Sequence, residues 1–235
     1  MIEFWHLQNV DWLRELSPEV ADGLREAAEL THYPQGALIF KPAINPERVY
    51  LLESGLVRIY RESEHAEQVT FGYVQPGEVF GECAVFQDRP RESFAAAHEP
   101  STVLKLSRQR FIDAIQSKPS IMFAVAKQIE GRFKNVESRV EDLVFRDARA
   151  RLAHVILNLS QEFGHVEGDR TTVQIQLTHA ELATLIGTSR PTVSIALGEL
   201  EDEGVLTRAD RYIGITNLDA LQAIANTPHD HIATQ

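Results

Sequence analysis

The sequence predicts an α+β fold in three parts, and three patterns along the chain carry that prediction. Between about residues 33 and 106, seven short apolar runs alternate with turn signals, as in a β sandwich, jelly roll or barrel. Residues 120–145 contain no proline and repeat apolar residues every three or four positions, which predicts one long helix. Residues 177–206 contain two short helical segments separated by a glycine, which is typical of a helix-turn-helix. We therefore divide the chain into a β domain at 1–117, a long helix at 118–145 and a winged helix-turn-helix domain at 146–235.

Length and composition are those of an ordinary globular protein, but the charge argues against a nucleic-acid partner. The chain has 235 residues, of which 24% are charged, and a formal net charge of −11. Phosphate contacts need clustered Lys and Arg, which this acidic composition does not suggest. The single cysteine, Cys83, allows no intrachain disulfide and indicates a reducing compartment. Signal-peptide and transmembrane patterns are both missing, so we expect a cytoplasmic protein without membrane contact.

The first part of the chain changes from helical to β patterning. Residues 1 to about 32 show helical periodicity, and the β region follows from Tyr33. The predicted strands are the apolar runs Ala37–Phe40, Val49–Leu52, Leu56–Tyr60, Gln68–Val74, Val79–Phe80, Phe94–Ala97 and Val103–Leu106. Jelly rolls and barrels built from such strands can enclose a small ligand.

The long helix carries a heptad seam. Its members are spaced alternately by four and three positions, and they are Met122, Ala126, Ile129, Phe133, Val136, Val140 and Leu143. Such a seam packs either within its own domain or against a second copy of the helix. The length of the helix favours the second copy, so we predict a homodimer with this seam as its interface.

The last part is predicted to be mostly helical. The helical pattern continues over Asp147–Gln161, and we expect a loop at Gly164–Arg170 and a strand at Thr171–Leu177. A possible hairpin over Val205–Ile215 would form the wing.

Between that strand and that hairpin, the segment 177–206 contains the signals of a helix-turn-helix. Thr178 and Glu181 form a T-x-x-E capping box, which starts a helix, and Gly187 suits the tight turn that ends it. Ser189 can cap the next helix, which runs over about Arg190–Glu203.

This second helix is predicted to enter the major groove of double-stranded DNA by its N-terminal end. Arg190 can bind guanine O6 and N7, and Thr192 and Ser194 can contact phosphate or base edges. The predicted DNA-contacting residues lie at two helix starts and in the wing: Thr178, His179, Ser189, Arg190, Pro191, Thr192, Ser194, Arg208 and Arg211. A helical hairpin with no DNA role is the alternative.

The order of β domain, heptad helix and winged helix-turn-helix resembles the cyclic-AMP receptor protein and FNR superfamily of transcription regulators. Three stretches carry the resemblance, which spans nearly the whole chain: Ser54–Tyr60, Pro76–Glu82 and Leu182–Leu200. It implies a jelly-roll domain similar to cyclic-nucleotide-binding domains. It also implies a homodimeric regulator whose partners are DNA and RNA polymerase.

The resemblance also implies an effector site at Gly81, Glu82, Cys83, Arg91, Glu92 and Ser93. Family members that bind cyclic AMP use a cassette that opens with Gly-Glu and closes with Arg-Ser, and the arginine and serine hold the phosphate. At equal spacing, the position of that arginine holds Glu92, whose carboxylate would repel a phosphate. A one-residue slip to Arg91 would point a strand side chain to the other face. We therefore expect no cofactor, and an effector other than cyclic AMP or none; a cyclic-nucleotide site that uses a shifted arginine is the alternative.

Two positions of the second helix depart from the family. Where many members have a glutamate after the first recognition residue and an arginine four residues later, this chain has Pro191 and Ile195. Ile195 offers only apolar contact, for example with a thymine methyl, or else packs within the domain. Arg190 is then the only strong base-reading candidate, and we expect a target that differs from the family's familiar palindrome.

Enzyme and metal functions find little support in the sequence. No cysteine precedes Cys83, which excludes the N-terminal iron–sulfur cluster of the oxygen-sensing branch, and no other metal set is expected. Phosphate-binding loops, nucleophile elbows and zinc-protease motifs are missing, so we predict no catalytic residues. Two rivals stay open: a ligand-binding module that has lost DNA binding, and a cupin-type enzyme that would need more histidines than His65 and His98 in the β region.

The acidity extends into the predicted DNA-binding part. Residues 146–235 hold seven basic and twelve acidic side chains. Arg190, Arg208 and Arg211 fall on the predicted DNA side, whereas Glu199–Glu203 fall on the far end of the second helix. We therefore expect weak non-specific DNA binding, strong salt sensitivity and dependence on the dimer.

Overall fold

The computed structural model describes residues 28–42, 47–82, 85, 90–168, 170–209 and 211–227. The chain divides into two compact units, and the division falls between Lys134 and Asn135. The predicted helical region before residue 28, the residue Cys83 and the chain end after residue 227 lie outside the described residues.

The described residues of the first unit form an antiparallel jelly roll of eight strands. Its strands are β1 (Glu29–Tyr33), β2 (Leu38–Phe40), β3 (Arg48–Ser54), β4 (Val57–Glu62), β5 (Gln68–Val74), β6 (Val79–Phe80), β7 (Phe94–Ala97) and β8 (Ser101–Ser107). One sheet has the order β1-β8-β3-β6 and the other β2-β7-β4-β5. This interleaved order of early and late strands is that of a jelly roll, which selects one of the three β architectures predicted from the sequence.

The jelly-roll interior is filled from both sheets. Phe40, Tyr50 and Phe80 stack with ring centroids 5.2 to 6.0 Å apart, and buried aliphatic side chains such as Leu52 and Val103 surround them. Gly55 lies in the turn that connects β3 to β4 and has a φ of 88°. A Cβ at this position would lie 2.4 Å from the Pro100 carbonyl oxygen. Only glycine fits this turn.

A second core lies under two helices on the outer face of one sheet. Helix α1 (Arg108–Ser117) is capped by Ser107, whose side chain accepts from Arg110 N, and helix α2 spans Ser120–Phe145. Ile121 and Val125 of α2 pack against Val49 and Leu51 of β3. The pleat of β3 sends Tyr50 and Leu52 to the jelly-roll interior instead, so this strand is buried on both faces.

The second unit is a winged helix-turn-helix domain. Its elements are α3 (Ala148–Phe163), β9 (Gly164–Glu167), β10 (Arg170–Val173), α4 (His179–Ile186), α5 (Arg190–Asp202), β11 (Leu206–Ala209), β12 (Tyr212–Ile215) and α6 (Leu218–Ala225). The strands form one antiparallel sheet in the order β11-β12-β10-β9. The core of this unit contains large side chains that are fully buried: Leu152, Ile156, Ile175, Leu182, Leu197, Leu200, Leu206 and Ile215.

Three local predictions need correction. The strand expected over Thr171–Leu177 ends at Val173. Leu30, taken as part of a helical region, lies in β1, which pairs with β8 from Glu29 to Tyr33. The segment Gly164–Arg170, expected to be a loop, contains β9 and the start of β10. All four residues of β9 are exposed, so it has no alternation of buried and exposed positions that would have predicted a strand.

Candidate functional site

The turn between α4 and α5 is built by the predicted local signals. Thr178 Oγ1 accepts from the Glu181 backbone N at 3.2 Å, and Glu181 Oε2 accepts from the Thr178 backbone N at 2.8 Å. These two bonds complete the capping box and begin α4. Gly187 ends α4 in the left-handed conformation, with a φ of 64°. The helix-turn-helix and its capping residues are therefore confirmed.

The first turn of α5 presents Arg190 to solvent. Ser189 caps the helix by accepting from the Thr192 backbone N at 3.3 Å, and its hydroxyl lies 2.8 Å from the Thr192 hydroxyl. Pro191 occupies the first turn, where its missing N–H leaves no helix bond unmade. Arg190 is exposed, and no side-chain hydrogen bond or ion pair to it is found among the described residues. Its guanidinium can therefore bind an external acceptor without breaking an internal contact.

The other predicted contacts are joined in a hydrogen-bonded network. Arg208 Nη1 donates to His179 Nε2 at 2.5 Å, and because a guanidinium can only donate, the His179 Nδ1–H must donate to Ser194 Oγ at 2.7 Å. Ser194 Oγ in turn donates to the Arg190 carbonyl oxygen at 3.0 Å. The network therefore connects the wing, the start of α4 and the first turns of α5.

Glu201 is a member of this network that sequence reasoning missed. Its carboxylate accepts from Arg208 Nε at 2.7 Å and from Arg208 Nη2 at 2.5 Å, a two-point ion pair. The sequence predicts Glu201 at the far end of α5, away from DNA. The wing folds back over α5 and brings Arg208 to it, and no spacing along the chain signals this contact.

The charges of the network shift three pKa values. Burial, followed by the nearby Arg208 and Arg190 cations, lowers the pKa of His179. The hydrogen bond from Arg208 lowers the pKa of Glu201, and the same bond raises the pKa of Arg208. His179 is thus held neutral, as its acceptor role toward Arg208 requires.

Two further residues of the predicted interface are exposed. Arg211 lies in the turn of the wing with a φ of 70°. Ile195 is 63% exposed on α5, so it does not pack within the second unit.

The effector region contains a buried arginine. Arg91 is only 7% exposed. Its Nη2 donates to the Arg48 carbonyl oxygen at 3.0 Å and to the Gly81 carbonyl oxygen at 3.1 Å. The guanidinium carbon lies 4.0 Å from the centre of the Phe40 ring, a cation–π contact in the jelly-roll interior.

Among the described residues, no acidic side chain balances the charge of this arginine. Its Nε is buried and has no hydrogen-bond partner, and no carboxylate of the described residues pairs with the guanidinium. Buried charges are normally paired.

The structure corrects the register assumed for the effector cassette. Glu92, expected at the arginine's position, is exposed and pairs with Arg61 on the surface. Arg91 is the residue whose side chain faces inward, beside Gly81, which has a φ of 72°. Both residues precede β7, and the position that faces inward is one residue earlier than the spacing predicts.

The remaining cassette residues are partly placed. Glu82 Oε1 accepts from Arg132 Nη1 at 3.3 Å, which ties the cassette to helix α2. Ser93 is half-buried, and Cys83 lies outside the described residues.

Comparisons with known proteins match both units. The cyclic nucleotide-binding domain matches residues 30–118, and the Crp-like helix-turn-helix domain matches residues 150–224. The cyclic AMP receptor protein of Thermus thermophilus is 31% identical over 211 residues, which cover 89% of this chain and 94% of that protein. A solved transcriptional regulator of the CRP/FNR family from the same species is 27% identical with a TM-score of 0.71, covering 86% of this chain and all of that one. The chain belongs to the CRP/FNR family.

Membership of the CRP/FNR family decides the class of function. The global nitrogen regulator of Synechococcus elongatus is also similar, at 27% identity over 217 residues, which cover 92% of this chain and 97% of that protein. CRP/FNR proteins are transcription regulators with a DNA-binding helix-turn-helix. The chain is therefore a transcription regulator and not an enzyme.

CRP/FNR regulators typically act as dimers, and helix α2 of this chain has an uncovered apolar face. Every member of the heptad seam is exposed or half-buried, with Phe133 at 60% and Val140 at 56% exposed. Ile121 and Val125, which pack on the jelly roll, lie outside the seam. The seam is therefore not used by the core of the first unit.

Two features are missing from the part of the chain that the structure describes. Within it, no three His, Cys, Asp or Glu side chains form a group that could hold a metal ion. Within the same residues, no helix combines the length and apolar character needed to cross a membrane.

Proposed function

We propose that this CRP/FNR regulator binds a specific DNA sequence as a homodimer, with α5 in the major groove and the α2 seam as the dimer interface. The observation that carries the proposal is the exposed Arg190 at the capped start of α5, whose side chain has no partner among the described residues. Dimers of this class bind half-sites about one helical turn apart, which offsets a small number of base contacts in each half-site. We expect the protein to bind chromosomal DNA and RNA polymerase, and therefore to be located in the cytoplasm.

Selection of DNA sites from a random pool with the purified full chain tests this proposal. We expect a two-fold symmetric site, and Arg190→Ala to weaken binding by ~1–3 kcal/mol in each half-site and to relax selection at one base pair. Arg170→Ala is the matched control, because Arg170 is exposed on β10 outside the helix-turn-helix. A pool without an enriched site would instead favour a ligand-binding module that has lost DNA binding.

For the effector, we propose an anion held by Arg91 inside the jelly roll. A buried guanidinium with no acidic partner among the described residues supports a negatively charged ligand. Cyclic AMP is a candidate, because a similar protein is named a cyclic AMP receptor protein. Against it, the residue that follows Arg91 is the exposed Glu92, where cyclic-AMP cassettes have a hydroxyl. We therefore favour an effector other than cyclic AMP.

Titration calorimetry with cyclic AMP separates the two effector hypotheses. Micromolar binding that is lost in Arg91→Met and kept in Arg61→Met would support the cyclic-nucleotide hypothesis. The Arg61 side chain is exposed and forms its ion pair with Glu92 on the surface, so it is a suitable control. No heat at millimolar cyclic AMP would support another effector or none.

A further inference from the structure

Helix α5 exposes one large apolar side chain near the end that is proposed to enter DNA. Ile195 is 63% exposed, whereas Val193, Leu197 and Leu200 of the same helix are fully buried. Ile195 lies five residues after Arg190, which is about 7.5 Å along the helix axis. An aliphatic side chain and a free guanidinium therefore share the N-terminal half of α5.

Gly198 adds a second, independent observation at the same place. It lies three positions after Ile195 and is its neighbour on the helix surface. A Cβ built at Gly198 would meet no atom within 4 Å, so the fold itself does not require glycine here. Glycine within a helix lowers helix stability relative to alanine. A surface without a side chain beside Ile195 allows another molecule to approach the helix closely.

The hydroxyl groups nearby are already engaged. Thr192 bonds to Ser189, and Ser194 bonds to both His179 and the Arg190 carbonyl. Direct hydrogen bonding to bases therefore falls mainly on Arg190. The large exposed apolar side chain of this surface is Ile195, and the apolar group that a base pair displays in the major groove is the C5-methyl of thymine.

We infer that Ile195 contacts the C5-methyl group of a thymine in each half-site, and that Gly198 lets the base edge approach. The inference rests on the proposed DNA-binding function and names the base that this function selects. Because base pairs are stacked about 3.4 Å apart, the thymine lies within roughly two base pairs of the guanine bound by Arg190.

Replacing single thymines by uracil in the selected site tests the inference, because uracil lacks only the methyl group. With the wild-type full chain, we expect one replacement per half-site to weaken binding about fourfold, the factor that corresponds to burying one methyl group. Ile195→Ala should bind more weakly and should no longer distinguish thymine from uracil at that position. Ile195→Val should keep the distinction, and so should Val166→Ala, which truncates an aliphatic side chain that is 68% exposed on β9.

Gly198→Ala supplies a second readout. We expect it to weaken binding severalfold without lowering the melting temperature, since the added methyl meets no protein atom. The inference is overturned if uracil is tolerated at every position, or if Ile195→Ala still distinguishes the two bases. Failure to select any DNA site would instead overturn the proposed function, so the two failures are distinguishable.

Discussion

Replacing Glu201 by Gln should make DNA binding more sensitive to salt. The Glu201 carboxylate holds Arg208 by two hydrogen bonds of 2.5 and 2.7 Å, and the side chains are 29% and 30% exposed. Glutamine keeps the shape of the side chain and removes its charge. Arg208 then loses its ion pair and keeps its bond to His179, so its Nε and Nη2 can donate to a DNA phosphate. Each added phosphate contact changes the slope of log K against log salt concentration by about −0.9, so a dimer should gain about −1.8.

Fluorescence anisotropy of a labelled selected site between 50 and 300 mM salt measures this slope. Glu199→Gln is the matched control: it makes the same charge change two residues away, and its nearest cation, Arg149, is 3.8 Å distant. Because Glu201 and Arg208 are partly exposed, the loss of their pair should lower stability by at most about 1 kcal/mol. Equal slopes for the wild type, Glu201→Gln and Glu199→Gln would refute the idea that Glu201 keeps Arg208 from phosphate.

Two further predictions concern pH and assembly. The pKa of His179 is lowered in the folded chain, so the unfolded chain binds the proton more readily. The free energy of unfolding should therefore fall as the pH drops below about 6.5, the ordinary pKa of histidine. Urea unfolding between pH 7.5 and 5 measures this loss of stability. The loss should be smaller in His179→Gln and unchanged in His165→Gln. Phe133→Glu places a carboxylate in each copy of the heptad seam and should convert the dimer to a folded monomer in sedimentation experiments, whereas Phe123→Glu, at a side chain 77% exposed outside the seam, should not. A dimeric Phe133→Glu variant would exclude the seam as the interface.

Local sequence signals predicted most of the fold because they act over a few residues. The strands Gln68–Val74, Val79–Phe80 and Phe94–Ala97 have the predicted bounds, and the helix predicted over 118–145 spans Ser120–Phe145. Their apolar residues lie on faces that pack against a core, so burial repeats with the period of the element. Capping residues such as Thr178 and Ser189 act on backbone atoms within three residues, and this contact is local as well.

The parts that the sequence did not predict depend on contacts across the fold. Alternation along a strand fixes the spacing of inward-facing positions but not whether Arg91 or Glu92 faces inward. Contacts with residues distant in sequence, Arg48 for Arg91 and Arg61 for Glu92, accompany the observed choice. The pairing of Glu201 with Arg208 requires the wing to return to α5. In both cases a charged residue has a role set by its tertiary neighbours.

Strand β3 gives the first unit a mechanical property of its own. Tyr50 and Leu52 belong to the interior where Arg91 lies, while Val49 and Leu51 of the same strand support Ile121 and Val125 at the start of the long helix. Arg91 is also bonded to the backbone of β3 through the Arg48 carbonyl oxygen. Close-packed cores resist independent rearrangement. A ligand bound by Arg91 would therefore act on the same strand that supports the start of α2, within the same unit.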